Sequence, residues 1–171
     1  MVIIGCGGSG KTTVGRKLGE LLGVQVTHLD VLFYDEEWNT LPKEEFAAIQ
    51  EKLVAEPKWI IDGNYNSTLP IRLKRADTVI FLDLPAITCL WGIAQRRFKH
   101  GGGQNDRTGV YDRLTWDFTK YVWKYRATMA RQVRANIDKH AGHADVHILR
   151  SRRAANRFLA QAAATLNRPC S

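Results

Sequence analysis

No stretch of the sequence approaches the roughly 18 to 20 uninterrupted apolar residues that a membrane-spanning helix needs, so no membrane partner is expected. The N-terminus runs straight into a glycine-rich segment without a signal-peptide pattern, and the chain reads as cytoplasmic. Cysteine is scarce: Cys6, Cys89 and Cys170 are an odd number at no metal-like spacing. Neither a disulfide framework nor a zinc site is suggested, and free thiols are the expectation. The five histidines show no ligand spacing either. Internal repeats, low-complexity tracts and interdomain linkers are also lacking. The 171 residues, 44% of them hydrophobic, are therefore expected to form one domain, 1–171, around a single core.

Acidic residues are scarce in the second half. Residues 1–85 hold 9 Lys/Arg against 12 Asp/Glu and residues 86–171 hold 16 against 5, net charges of −3 and +11. A basic half can attract nucleic acid, but arginines converging on ATP and a phosphorylated acceptor give the same count, and charge alone does not choose between them.

What is present alternates in period. Val2-Ile3-Ile4 reads as a strand ending at Gly5, and Lys11 to Leu22 as a helix with Val14, Leu18, Leu21 and Leu22 at helical spacing before a stop at Gly23. Val24 to Leu29 reads as a second strand, Pro42 to Ala55 as a helix, Lys58 to Ile61 as a third strand closed by Asp62-Gly63-Asn64, and the nearly all-apolar Thr78 to Leu82 as a fourth. Ala86 to Lys99 is expected to be helical, His100 to Asp112 a glycine-rich polar loop, Arg113 to about Lys139 one long helix, Val146 to Leu149 a fifth strand and Arg152 to Leu166 a closing helix. Strands alternating with helices predict an α/β fold, a parallel sheet flanked by helices.

Gly5 to Thr12 satisfies G-x-x-x-x-G-K-[ST] between an apolar strand and an amphipathic helix. In that context the glycines let backbone N–H groups wrap phosphates, and the helix N-terminus adds its positive dipole end. Gly5, Gly7, Gly8, Ser9, Gly10, Lys11, Thr12 and Thr13 are therefore the expected phosphate cradle for ATP, with Lys11 on the β and γ phosphates and the Thr12 hydroxyl on Mg²⁺. Cys6 reads as a small filler. Asp62, at the end of the third strand, is the favoured second metal-side residue, through water, over Asp83 at the end of the fourth. Asp30, after the second strand, is read equally as a base for an acceptor hydroxyl and as a turn cap.

Arg96, Arg97, Arg107 and Arg113 lie at or near the ends of the glycine-rich loop, where positive charge could close over a transferring phosphoryl group. Trp116, Phe118, Tyr121, Trp123 and Tyr125 interleave with Lys120, Lys124 and Arg126, a composition that can stack on bases. Leu114, Phe118, Tyr121, Val122 and Tyr125 share one helical face, so the core reading is preferred.

The residues Gly5 to Thr12, His28-Leu29-Asp30, Trp59 to Tyr65, Arg72 with Ala76-Asp77, Phe81 to Pro85, Arg96-Arg97, Asp117-Phe118 to Val122-Trp123 and Leu149 to Arg152 together resemble the small P-loop proteins known as DNA topology modulation proteins, close to adenylate kinase and shikimate kinase. The resemblance implies the P-loop NTPase fold with parallel strand order 2-3-1-4-5 and a short lid over His100 to Asp112. It also implies that Arg150 to Arg153, Arg150 and Arg152 among them, border the adenine, and that Asp30, Asn64, Tyr65 and Arg72 line the acceptor pocket. The lids of that group carry an arginine just ahead of an aspartate and then a Gly-Cys-x-Glu step. Here Gln104-Asn105 precede Asp106, and Gly109-Val110-Tyr111-Asp112 replaces the step. The expected activity is transfer of the γ-phosphoryl of Mg-ATP to a nucleoside monophosphate or a metabolite hydroxyl. The alternative is a nucleotide-dependent nucleic-acid-binding protein that affects DNA topology.

Overall fold

The computed structural model describes residues 1–34, 39–100 and 116–166. Five strands, β1 (Val2–Gly5), β2 (Val26–His28), β3 (Ile60–Asp62), β4 (Thr78–Leu82) and β5 (Asp145–Leu149), pair only in parallel, in the order β2-β3-β1-β4-β5. The strand order that the resemblance implied is the one observed. β1 is central, and Val2, Ile3 and Ile4 are fully buried, as a strand covered on both faces requires. Its register places Ile3 opposite Asp62 of β3 and Gly5 opposite Leu82 of β4. The carboxyl ends of three strands therefore open onto one edge.

Helices α1 (Lys11–Leu22), α2 (Leu29–Phe33), α3 (Lys43–Ala55), α4 (Leu69–Leu73), α5 (Ala86–His100), α6 (Trp116–Lys124), α7 (Met129–His140) and α8 (Arg152–Leu166) connect and flank the strands. In α1, Val14, Gly15, Leu18 and Gly19 face the interior. A Cβ on Gly19 would stand 2.7 Å from the Val24 carbonyl oxygen, so glycine lets the helix approach the chain that leads into β2. Gly23 ends α1 in the left-handed region at φ 64°, its N–H bonded to the Gly19 carbonyl. The α1 and α8 helices pack together, while α4 bridges α3 and α7. The main core gathers β1 and β4 with Val14, Leu18, Leu69, Leu73, Val133 and Leu159, and a smaller cluster of Leu29, Phe46, Val54 and Ile61 lies under α2 and α3.

The expected elements change in two respects, and a third expectation is not tested. The single helix from Arg113 to Lys139 is two helices, α6 and α7, with a turn over 125–128, and 113–115 lie outside the described residues. No proline or glycine marks the break. Its cause is tertiary: the turn lets Tyr125 bury its ring at 2% exposure while Arg126 and, from α7, Arg134 converge on Asp83. The five-residue helices α2 and α4 escape periodicity because neither spans two turns. The expected lid falls outside the described residues beyond His100, which closes α5.

Asp83 follows β4, and its carboxylate is fully buried. Arg126 donates through Nε at 3.2 Å to Oδ1, and Arg134 donates to Oδ2. This pair ties the α6–α7 junction to the sheet. Removing the carboxylate leaves two guanidinium groups uncompensated, but Arg126 and Arg134 are 48% and 38% exposed and keep some water. The expected loss for Asp83→Ala is therefore about 1–3 kcal/mol, below that of a fully enclosed pair, and urea denaturation would measure it.

Candidate functional site

The loop from Gly5 to Lys11 leaves β1 and enters α1 with Gly8 and Gly10 in the left-handed region, at φ 74° and 97°. Only glycine adopts this readily, which explains the residue type at both positions. A second constraint acts on Gly8: a Cβ there would overlap the Cys89 carbonyl oxygen of α5, and a Cβ on Gly92 would overlap the Gly8 carbonyl oxygen. The loop and α5 thus meet backbone to backbone. On its other side the loop meets α6, since a Cβ on Gly7 would stand 2.7 Å from the Phe118 ring. Ser9 donates its N–H to the Cys6 carbonyl at 3.2 Å, and Lys11 Nζ donates to the same oxygen at 3.2 Å. Thr12 is half-buried and Thr13 exposed in the first turn of α1.

Asp62 is buried beside this loop. Its Oδ2 lies 2.9 Å from His28 Nδ1, a contact that is ionic when the imidazole is protonated. Contact with Asp62 is the largest influence on His28 and raises its pKa, against the opposing effect of partial burial; Asp30 and Lys11 are also close enough to act on it. Ser9 Oγ and Asp62 Oδ2 are both buried oxygens without a hydrogen-bond partner. Thr12 and Asp62 carry hard oxygen atoms of the kind that suits Mg²⁺, so these two residues could hold that ion with phosphate oxygens completing its shell. Asp83, by contrast, is occupied by two arginines.

Asp30, in the first turn of α2, accepts the Tyr65 hydroxyl proton at 2.7 Å through Oδ1. Burial, then the Asp30 charge, pushes the Tyr65 pKa up, so this hydroxyl stays a donor. Phe33 packs on Tyr65 with ring centroids 4.7 Å apart. Asn64 holds two tyrosines: its Nδ2 donates to Tyr121 Oη at 3.1 Å and its Oδ1 accepts from Tyr125 Oη at 3.0 Å. Phe118 stacks on Tyr121 at 6.2 Å, so α6 lays an aromatic ladder from Gly7 to Asn64.

Lys11, Asp30, Asp62, Asn64 and Tyr65 thus come together with the glycine loop. Arg72 differs from its expected position in the acceptor pocket. It is fully buried, with Nη1 donating to the Gly63 carbonyl at 2.9 Å and Nη2 to the Tyr65 carbonyl at 3.5 Å, and burial lowers its pKa to about 9. It shapes the chain after β3 from behind. Arg152 donates to Gln95 Oε1 at 3.0 Å and to the Thr88 carbonyl at 3.4 Å, spanning α5 beside Gly92, while Arg150 and Arg97 are exposed. Arg107 and Arg113 lie outside the described residues. His28, Tyr121 of α6 and Tyr125 of the turn after it do not stand out as site residues in the sequence. The signal for His28 was its alternation with Asp30 at the end of a strand.

No family model matches the chain. It is 26% identical over 142 residues to threonine synthase-like 1 of Pongo abelii, covering 74% of this chain and 19% of that protein. To threonine synthase-like 1 of Mus musculus it is 28% identical over 129 residues, covering 67% and 17%. The chain spans less than a fifth of the length of these curated relatives. Among solved structures it is similar to a shikimate kinase from Acinetobacter baumannii in complex with shikimate, with TM-score 0.52, 21% identity and 94% of this chain and 88% of that one covered. It is also similar to a deoxyadenosine kinase from M. mycoides with products dCMP and a flexible dCDP bound, with TM-score 0.54, 14% identity and 97% of each chain covered. The chain shares the fold of these two solved kinases.

Asn64→Ala deprives the buried Tyr125 hydroxyl of its acceptor and Tyr121 of its donor. We expect a stability loss of about 1–2 kcal/mol and faster hydrogen exchange across Trp116–Lys124. Urea denaturation and exchange mass spectrometry read the two effects.

Proposed function

We propose that the protein is a Mg-ATP-dependent phosphotransferase that moves the γ-phosphoryl group to a hydroxyl of a small acceptor. The observation that carries this reading is the convergence of the glycine loop, Lys11, Asp62 and Asp30 at the carboxyl ends of β1, β3 and β2, where open α/β sheets take their ligands. In this reading Gly5, Gly7, Gly8, Ser9, Gly10 and Thr13 present the phosphate cradle, Thr12 and Asp62 serve Mg²⁺, and Lys11 leaves the Cys6 carbonyl for the β and γ phosphates. Bound Mg²⁺ supplies positive charge at the phosphate oxygens.

Asp30 orients the acceptor hydroxyl and takes its proton as the oxygen attacks phosphorus. Tyr65 occupies one carboxylate oxygen of Asp30 and leaves Oδ2 for the substrate. A nucleoside monophosphate acceptor is less well supported, because the Nη groups of Arg72 are engaged by main-chain carbonyls and the Asp30 and Asp62 carboxylates would repel a second anion. Asn64 and Tyr65 wall the acceptor side, and Arg152 with Arg150 borders the adenine. Arg97, Arg107 and Arg113 complete the charge over the transferring group. The nucleic-acid alternative rests on the +11 balance of residues 86–171, 16 basic against 5 acidic.

Two outcomes test the reading. Lys11→Ala should fold normally and lose most Mg-ATP affinity by calorimetry, and wild-type affinity in a folded variant would refute the cradle. With an acceptor found by screening hydroxylated metabolites and nucleoside monophosphates for ATP consumption, Asp30→Asn should lower kcat by roughly 10²–10⁴ while KM for ATP holds. An unchanged kcat would remove Asp30 from proton transfer.

A further inference from the structure

We propose that β5 is the seam of a homodimer, in which a second copy of this chain lays its own β5 antiparallel against it about a two-fold axis at His147. Nothing in this assembly depends on the phosphotransfer chemistry.

β5 ends the sheet, and among the described residues no strand lies beyond it. Its pairing with β4 fixes which of its main-chain groups are already used. Asp145 donates its N–H to the Asp77 carbonyl at 2.8 Å, and the Leu149 carbonyl accepts the Asp83 N–H at 3.0 Å. In a parallel ladder the N–H and C=O of one residue point to the same side, and those of the next residue point to the other. Asp145, His147 and Leu149 therefore serve β4, and the N–H and C=O of Val146 and Ile148 point off the sheet. An edge that is to stay single is commonly blunted by lysine, proline or a bulge. Val146 to Leu149 contain neither residue, and the register with β4 runs unbroken from Thr78 opposite Asp145 to Leu82 opposite Leu149.

The side chains of this edge match a second copy of themselves. Val146 and Ile148 share one face of β5 and, with Ile137 and Ala141 of α7, wall an open hollow of about 330 Å³. Ile148 is 40% exposed, an unusual state for a β-branched apolar residue in a sheet. In an antiparallel pair centred on His147, Val146 of each copy exchanges both main-chain bonds with Ile148 of the other. Each isoleucine then lies opposite a valine on the α7 side, at the other copy's hollow, and one rotation serves both copies.

Charge fits the same rotation. Arg134 and Asp138, one turn apart on α7, complete the wall of the hollow. Arg134 holds Asp83, whose N–H bonds to Leu149, so it marks the carboxyl end of β5. Asp138 lies one turn nearer the connection into β5 and marks the amino end. Arg134 is still 38% exposed and Asp138 is exposed, so both charges can reach outward. Antiparallel pairing sets the cation end of one hollow beside the anion end of the other, whereas parallel pairing would set like charges together. This self-match of main chain, shape and charge is what a second copy offers and an unrelated strand does not.

Sedimentation equilibrium of the full chain should give twice the chain mass, with a dimer Kd of roughly 1–100 μM, as befits a small interface. Ile148→Lys should raise that Kd at least about tenfold and leave the thermal midpoint unchanged, because the wild-type side chain already meets water. Should that variant not fold, Asp138→Arg on the exposed helix surface should weaken association in the same way. The register is read by His147→Cys in a Cys170→Ser background. Mild oxidation should join two copies through position 147, where opposed Cα atoms lie about 4.5 Å apart, within disulfide reach. Adding Ile148→Lys should abolish that link. A parent chain that stays monomeric up to about 1 mM overturns the proposal, even if it captures an extended peptide. A dimer that Ile148→Lys and Asp138→Arg leave unchanged, or that forms no link at position 147, overturns it equally.

Discussion

Everything at the site depends on the parallel register of β1 with its two neighbours. Ile3 opposite Asp62 and Gly5 opposite Leu82 fix where the glycine loop emerges relative to the ends of β3 and β4. A shift of one residue would exchange the fully buried Val2, Ile3 and Ile4 between two packed faces, each shaped to the side chains it holds. The register is therefore held by a dry core, and the loop inherits its position from it. His28 is brought opposite Asp62 by the same logic, one strand further out.

The two carboxylates that end β3 and β4 illustrate how environment divides like residues. Asp83 is enclosed and neutralised by Arg126 of the α6–α7 turn and Arg134 of α7, which makes it an anchor. Asp62 has a single neighbour of opposite character, His28 against its Oδ2, and that oxygen faces α1. A Cβ on Gly15 would lie 3.8 Å from that oxygen, so the helix brings its first turns close to it. Charge already cancelled cannot serve a cation, whereas charge half-compensated can.

The glycine loop, the strands and the alternation of period were legible because each is written in local residue type: glycines where φ is positive, apolar runs where both faces are covered. The break between α6 and α7 was not, since Tyr125-Arg126-Ala127-Thr128 contains no helix breaker and the cause lies 43 residues away in Asp83. Arg72 misled for a related reason. Arginine at a strand-end motif reads as a ligand for anions, and only the fold reveals that its donors close a loop of main chain.

The contact of Gly8 with α5 also has an evolutionary reading. Each of Gly8 and Gly92 excludes a side chain from the other's backbone, so the separation between loop and helix is a property of the pair. Neither position can drift singly, because a first substitution forces the elements apart before a second could make use of the gap. Descendants of this chain should therefore keep both glycines or lose both together, and a lineage that lost them would have had to rebuild the junction of loop and helix.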